Sequence, residues 1–237
     1  MINSTRYFSQ LVMPGIGPGG QTKIANAKIL VIGAGGLGCP VLSYLAALGI
    51  GSIGIMDNDV VEMKNLHRQV LYSEPDIGKL KAEVAKERLQ LQNSEIMITA
   101  YHERLTDKNA SQTMNSYDII IDCCDNMETR HIIDQHTRSM GKPFIYAAVR
   151  QMEGQVSVFN FNGGPSYRHL FPQESSETAA LDCAVDGIIG YVTGIVGCLQ
   201  VNEALKLILG NDTVLSGEVL TIDLQNLLFR KFRIRSF

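Results

Sequence analysis

The chain carries five cysteines, Cys39, Cys123, Cys124, Cys183 and Cys198, and no two of them stand at CxxC spacing. That excludes the paired ligands of a zinc ribbon and the dithiol of a redox motif, and the odd count argues against a disulfide framework. A reduced, cytoplasmic chain fits this usage. No long basic run is present and the net charge is only -3, so neither nucleic acid nor an anionic membrane is an expected partner. The N-terminus lacks the basic start and continuous apolar core of a signal peptide. The longest apolar stretch, Ile188 to Leu199, is interrupted by glycines and falls short of the roughly 20 residues of a spanning helix. It reads as a buried helix.

What is present is a full core: 45% of the 237 residues are hydrophobic, enough for one large domain covering residues 1–237. Strands are expected at Ala27–Ile32, Ser52–Met56, Glu95–Ala100, Tyr117–Asp122 and Phe144–Ala148. Helices alternate with them at Gly36–Leu48, Lys79–Leu91, Asp107–Asn115 and Glu128–Met140. This βαβα order predicts an α/β fold: a Rossmann-like, mostly parallel sheet with helices on both faces. Before it, Asn3 to Gln21 reads as a brief helix and then a Gly- and Pro-rich loop. After Arg150 the pattern changes. Gly154–Phe161 alternates like an antiparallel strand, Pro172 to Asp182 is a polar loop, and a long apolar helix runs to Leu209. Glu218–Asp223 and Leu227–Ile234 close the chain as a hairpin. The basic residues Arg230, Lys231, Arg233 and Arg235 alternate with apolar ones, as on an edge strand with one solvated face.

The most informative segment is Lys28-Ile-Leu-Val-Ile-Gly33-Ala-Gly35-Gly36-Leu-Gly38, with Asp57 about twenty positions on. A strand that ends in a glycine turn, opens a helix and is followed by an acid is a nucleotide fingerprint. Gly33 permits the sharp turn, Gly35 a close approach to phosphate, and Gly38 tight packing of helix on strand. The N–H groups of the helix start then face an anion, and Asp57 is placed for a ribose hydroxyl. Alone, such a turn is also compatible with a plain strand–helix corner.

Around it stands a polar set that a simple dehydrogenase would not need: Asp59, Asn65, Arg68, Gln69, Lys81, Asp125 and Asn126. All follow the carboxyl ends of expected parallel strands, where open α/β sheets place ligands. Arg68 and Lys81 suit a triphosphate and the charge that builds when an α-phosphate is attacked. Asp125 suits a magnesium ion bridging phosphate oxygens. Each residue also has a structural reading. Lys81 is one of four cations on its helix, and spacing alone makes it a solvated lysine. Arg68 reads equally as an ion-pair partner of Asp57 or Asp59. Asp125-Asn126 is good turn and N-cap chemistry for the next helix.

Taken in order, Gly33-Ala-Gly-Gly-Leu-Gly38, Asp57-Asn-Asp59, Asn65-Leu-His-Arg68-Gln69, Gly78-Lys-Leu-Lys81, Asp122-Cys-Cys-Asp125-Asn126 and Arg150-Gln-Met-Glu-Gly-Gln155 resemble the ThiF/MoeB/HesA family. These are bacterial relatives of the ubiquitin-activating enzymes, and the resemblance runs from Arg6 to about Phe232. It implies an ATP- and magnesium-dependent adenylyltransferase. Such an enzyme joins AMP to the C-terminal glycine carboxylate of a small ubiquitin-like sulfur carrier ending in Gly-Gly, and releases pyrophosphate. By the same resemblance the loop Gly33, Gly35, Gly36 and Gly38 holds the nucleotide, with Asp57 on the ribose and Asn65, Arg68 and Lys81 on the phosphates. Asp125, beside Asn126, binds magnesium, and the enzyme is a homodimer. Arg68, Lys81 and Asp125 are the implied catalytic residues. Cys183 matches the position at which some relatives take over the acyl group or form a persulfide link; the ordinary alternative is a buried structural thiol. Cys123 and Cys124 read as packing at a strand end.

Three departures from the pattern carry expectations of their own. The first CxxC pair of many relatives falls at Ser166-Tyr-Arg-His169, and no second pair follows, so no structural zinc is expected. The N-terminal arginine that relatives send across the dimer into the neighbouring ATP site is here Ser9, in Arg6-Tyr-Phe-Ser9-Gln10; either Arg6 substitutes by a different backbone path, or the γ-phosphate is held less well. Substrates other than a sulfur carrier, a peptide C-terminus or a small carboxylate, fit the same chemistry. Two readings from other classes remain: a NAD-dependent oxidoreductase and a non-catalytic scaffold that keeps the nucleotide fold.

Overall fold

Short β-branched runs alternate with amphipathic and apolar helices from residue 28 onward, and the computed structural model, which describes residues 3–172 and 187–234, turns each run into a strand. The strands are β1 (Lys28–Ile32), β2 (Ser52–Met56), β3 (Met97–Tyr101), β4 (Ile119–Asp122), β5 (Phe144–Arg150), β6 (Glu153–Phe159), β7 (Glu218–Asp223) and β8 (Leu228–Arg233). They form one sheet in the order β3-β2-β1-β4-β5-β6-β7-β8. The first five pair in parallel and the last three are added antiparallel. The chain leaves β1 toward β2 on one side and returns to β4 on the other. Their carboxyl ends therefore flank a crevice, the switch point where such sheets bind ligands.

The helices are α1 (Phe8–Leu11), α2 (Gly17–Asn26), α3 (Gly38–Leu48), α4 (Lys81–Gln92), α5 (Asp107–Asn115), α6 (Met127–Met140) and α7 (Gly190–Leu209). Alternation along β1 divides the core. Ile29 and Val31 join a cluster with Leu42, Leu45 and Val196 from α3 and α7. Leu30 and Ile32 face the other way, onto Met114 of α5, Ile133 of α6 and the rings of Phe144, Tyr146, Phe159 and Tyr167. Two-sided burial is why the parallel strands read as continuous apolar runs.

The helix α7 is long and apolar enough to cross a membrane by length and composition. It lies against α3, β5 and β6, with Gln200 and Glu203 buried. Gln200 Nε2 donates to the Asp122 carbonyl (2.7 Å), and Glu203 accepts from Leu215 N (2.8 Å) and Lys206 Nζ (2.6 Å). These polar groups are satisfied by the sheet end and the following loop.

Several boundaries differ from expectation. The Gly- and Pro-rich stretch read as loop is helix from Gly17: Pro18 sits in the first turn, where a missing N–H has no partner to lose. Gly20 lets α2 approach Leu209 of α7 closely. Helix α3 begins at Gly38 and α4 at Lys81, each two residues later than expected, because Gly36 and Leu37 belong to the glycine turn on the cavity wall and Leu80 is held in a bridge to Val60. Strand β3 also starts two residues late, since Asn93 Oδ1 takes the Glu95 N–H (3.2 Å) in a local turn. The closing hairpin is present, but β8 is exposed along its whole length rather than on one face; among the described residues its packing is the β7 ladder.

Candidate active site

The glycine turn is built as its residues dictate. Gly33 has φ +97°, and a Cβ there would strike the Cys123 carbonyl at the end of β4; a Cβ on Gly38 would strike the Gly33 carbonyl. Asp57 locks the turn: Oδ2 accepts from Ala34 N (2.7 Å) and Oδ1 from Asp59 N (2.8 Å). Burial pushes its carboxyl above the ordinary range, and the Ala34 N–H and the nearby Lys81 charge offset this only in part. Each oxygen keeps a lone pair for a further donor. The N–H groups of Gly35, Gly36 and Leu37 have no acceptor among the described residues. Gly36 itself packs against Thr193 of α7.

These groups line a cavity of about 540 Å³ at the carboxyl ends of β1, β2 and β4, with Arg68, Lys81, Asp125 and Arg130 on its walls. Lys81 is not the solvated helix lysine that spacing alone suggests. Its side chain is 5% exposed and its ammonium pairs with Asp59 Oδ2 at 2.8 Å, while Asp59 is 62% exposed. Arg68 does not pair with Asp57 or Asp59 either. Its Nη2 donates to Asn65 Oδ1 (3.0 Å) and its Nη1 lies 2.8 Å from His67 Nε2. Asn65 is buried, so it serves here to hold Arg68, with its own Nδ2 donating to Glu62 (3.3 Å). Gln69 is buried beside Gly35, and its Oε1 has no partner among the described residues.

On the other wall, Asn126 caps α6, its Oδ1 accepting from Thr129 N (2.9 Å). The structural reading of Asn126 therefore holds. Asp125 is exposed at the turn before it and, among the described residues, makes only a long contact with Asn126 Nδ2 (3.5 Å). The turn is fixed from beneath. Asp122 is fully buried and pairs with Arg130 Nε (3.0 Å), while Arg130 Nη2 donates to the carbonyls of Cys124 (2.8 Å) and Ala147 (3.2 Å). Burial disfavours the Arg130 charge, but the Asp122 carboxylate outweighs it and raises the guanidinium above its ordinary range. Cys123 is buried and Cys124 half-buried, and burial pushes both thiols well up. That matches packing rather than nucleophilic use.

A model of the ThiF family matches residues 7–237. The chain belongs to that family. It is 45% identical over 230 residues to the adenylyltransferase and sulfurtransferase MOCS3 of Aedes aegypti, covering 97% of this chain and 53% of that protein. It is 43% identical over 235 residues to the sulfur carrier protein adenylyltransferase of Thermus thermophilus, covering 97% and 87%. The chain thus spans about half the length of the MOCS3 relatives it matches. Among solved structures, E. coli MccB with ATP aligns with a TM-score of 0.79 at 26% identity, over 91% of this chain and 67% of that one.

Within this ThiF-family chain the residues present fit a nucleotide. N–H groups and an amide oxygen without partners among the described residues converge on one cavity with the cations Arg68, Lys81, Arg104 and Arg130. For magnesium, the described residues contain no cluster of three or more His, Cys, Asp or Glu. One exposed carboxylate, Asp125, is nevertheless what magnesium takes when phosphates and water complete its shell. At the former zinc position, the His169 ring Nδ1 accepts from Ser166 N (2.9 Å) and caps a short 3-10 turn. Ser9 is exposed on α1, and Arg6 donates to the Gln92 carbonyl (3.1 Å) at the end of α4. Cys183 and most of the polar loop before it lie outside the described residues. Arg130 is a wall residue that sequence reasoning missed, as are Glu103 and Arg104; for Arg130, an arginine five positions after Asp125 in the first turn of an expected helix was the available signal. Asp59 was noticed but not given its partner.

Proposed function

We propose that this chain is an ATP-dependent adenylyltransferase of ThiF type, a single adenylation domain over residues 1–237 that acts on the C-terminal glycine of a small ubiquitin-like sulfur carrier. The observation that carries the proposal is the convergence of Arg68, Lys81, Asp125 and the bare N–H groups of Gly35–Leu37 on one cavity. In this reading the carrier carboxylate attacks the α-phosphorus of ATP. A carboxylate–phosphorus bond forms, the bond to the bridging oxygen breaks, and pyrophosphate leaves with that electron pair. The glycine loop and Lys81 hold the phosphates, Arg68 offsets the charge that grows on them, and Asp57 takes a ribose hydroxyl. Positioning and charge stabilisation are the whole of the protein's contribution. Asp125 would hold a magnesium ion, which would supply Lewis-acid neutralisation of charge on the phosphates. The same reading takes the protein as a cytoplasmic homodimer.

ATP–pyrophosphate exchange with a panel of carriers ending in Gly-Gly tests it. Exchange that depends on one carrier and disappears in Asp125→Ala is expected. Because Asp125 is exposed and, among the described residues, makes no hydrogen bond of normal length, the variant should melt with the wild type. Tight carrier binding without exchange would instead favour a scaffold, and exchange driven by a short peptide or small acid would move the substrate class. Protection by NAD rather than ATP would favour an oxidoreductase.

A further inference from the structure

We propose that His67 is a positioning residue for Arg68, holding the guanidinium through an unprotonated Nε2 on a ring whose proton sits on Nδ1. The inference rests on the reading that Arg68 meets the phosphates of ATP. Arg68 Nη1 lies 2.8 Å from His67 Nε2. Arginine has only donors at its head, so the ring nitrogen must accept, and a neutral imidazole that accepts at Nε2 carries its hydrogen on Nδ1. The other arm of the fork is held by Asn65 Oδ1 at 3.0 Å. Arg68 is therefore fixed at both ends by neutral acceptors, with no carboxylate paired to it among the described residues.

That choice of partners has a consequence for anion binding. A carboxylate would hold the fork more strongly, but it would occupy the same N–H groups and cancel the charge a phosphate needs. A neutral imidazole and a neutral amide fix the direction of the side chain and leave its charge to the ligand. The backbone beneath is equally fixed. Arg68 N and Gln69 N both donate to the Asn65 carbonyl (3.1 and 3.0 Å), and Gly190 at the start of α7 packs on the His67 carbonyl and the Arg68 Cα. The α7 contact is made through a residue with no side chain. The charged groups on His67's own turn are Arg68 and the Lys64–Glu62 ion pair (2.9 Å). Protonation of the ring would remove the acceptor and set two cations side by side, releasing Arg68 from one of its two anchors.

Two measurements test this without needing turnover. In 15N spectra of the histidine rings near neutral pH, His67 should show the Nδ1–H form, and Arg68→Met should return it toward the Nε2–H form that free histidine favours. Calorimetric titration with ATP and magnesium should give about a tenfold weaker Kd for His67→Leu, the size of one lost hydrogen bond. His67→Gln, whose amide oxygen reaches the place of Nε2, should stay within about twofold of wild type. An Nε2–H ring in the wild type, or equal ATP affinity for His67→Leu and wild type, would overturn the inference. Failure of the adenylyltransferase reading would show instead as normal ATP binding with no carrier-dependent exchange.

Discussion

Lys81 and Asp59 form an ion pair across 2.8 Å in which the cation is buried and the carboxylate stands mostly in solvent. The same two residues meet through the backbone, Lys81 N donating to the Asp59 carbonyl at 3.0 Å. Asp59 thus balances a buried cation on the cavity wall, and in the proposed function phosphates would compete with it for Lys81. Replacing Asp59 with Asn should lower the stability of the ligand-free protein by about 1–2 kcal/mol, less than for a fully buried pair because the carboxylate is exposed. ATP with magnesium should then raise the melting temperature more in the variant than in the wild type. Equal or smaller protection of the variant would mean that Asp59 and the phosphates do not share Lys81.

Gln69 leads to a prediction of opposite sign for stability and binding. Its Oε1 is buried with no partner among the described residues, an arrangement that costs about 1–3 kcal/mol if water does not relieve it. Gln69→Leu should leave stability unchanged or improve it, while weakening ATP binding by roughly tenfold. Chemical denaturation and ATP titration on the same preparation check both halves. A variant that is destabilised but binds ATP normally would make Gln69 a packing residue.

The nucleotide end of this site was readable in the sequence because it is local. Gly33, Gly38 and Asp57 act within one strand–turn–helix unit, and their spacing encodes the turn they form. The parallel strands β1 to β5 were legible for a similar reason, since burial on both faces leaves continuous apolar runs. What could not be read depends on distant contacts. Lys81 has the spacing of a surface residue and is buried by a turn that folds Asp59 back over it. Arg68 had two plausible carboxylates within reach and uses its own neighbours, His67 and Asn65. The glycines of α2 resembled a loop because the reason for Gly20, close approach to Leu209, lies nearly the length of the chain away.

The buried pair Asp122–Arg130 governs the placement of Asp125 from below. Arg130→Met leaves a fully buried carboxylate without its cation and takes a donor from the Cys124 carbonyl. A loss of about 3–5 kcal/mol is expected. Adding Asp122→Asn to that variant should recover part of the loss, because the uncompensated charge is then gone. A double-mutant cycle by urea denaturation measures the coupling, and simple additivity of the two substitutions would refute the ion-pair account.

Asp76 should make part of the stability depend on acid. It ends the 3-10 turn that leads through Gly78 into Lys81. Its carboxylate accepts from Ser73 N (2.9 Å) and Ser73 Oγ (2.8 Å) and pairs with Arg88. Burial works against the charge, but the Ser73 donors and the Arg88 guanidinium outweigh it and hold the Asp76 carboxyl down at about 2. In the unfolded chain the same group titrates near ~3.9. A carboxyl depressed on folding contributes fully above the unfolded value, and its contribution is lost as pH falls toward the folded one. Asp76→Asn should therefore be less stable than wild type by about 1–2 kcal/mol at neutral pH, discounted because Arg88 is itself partly in solvent. The gap should hold from about pH 7 to about pH 5 and narrow by about pH 3. Urea denaturation of both proteins across that range decides the matter. A gap that stays constant to the lowest pH would assign the loss to the Ser73 cap geometry rather than to the charge.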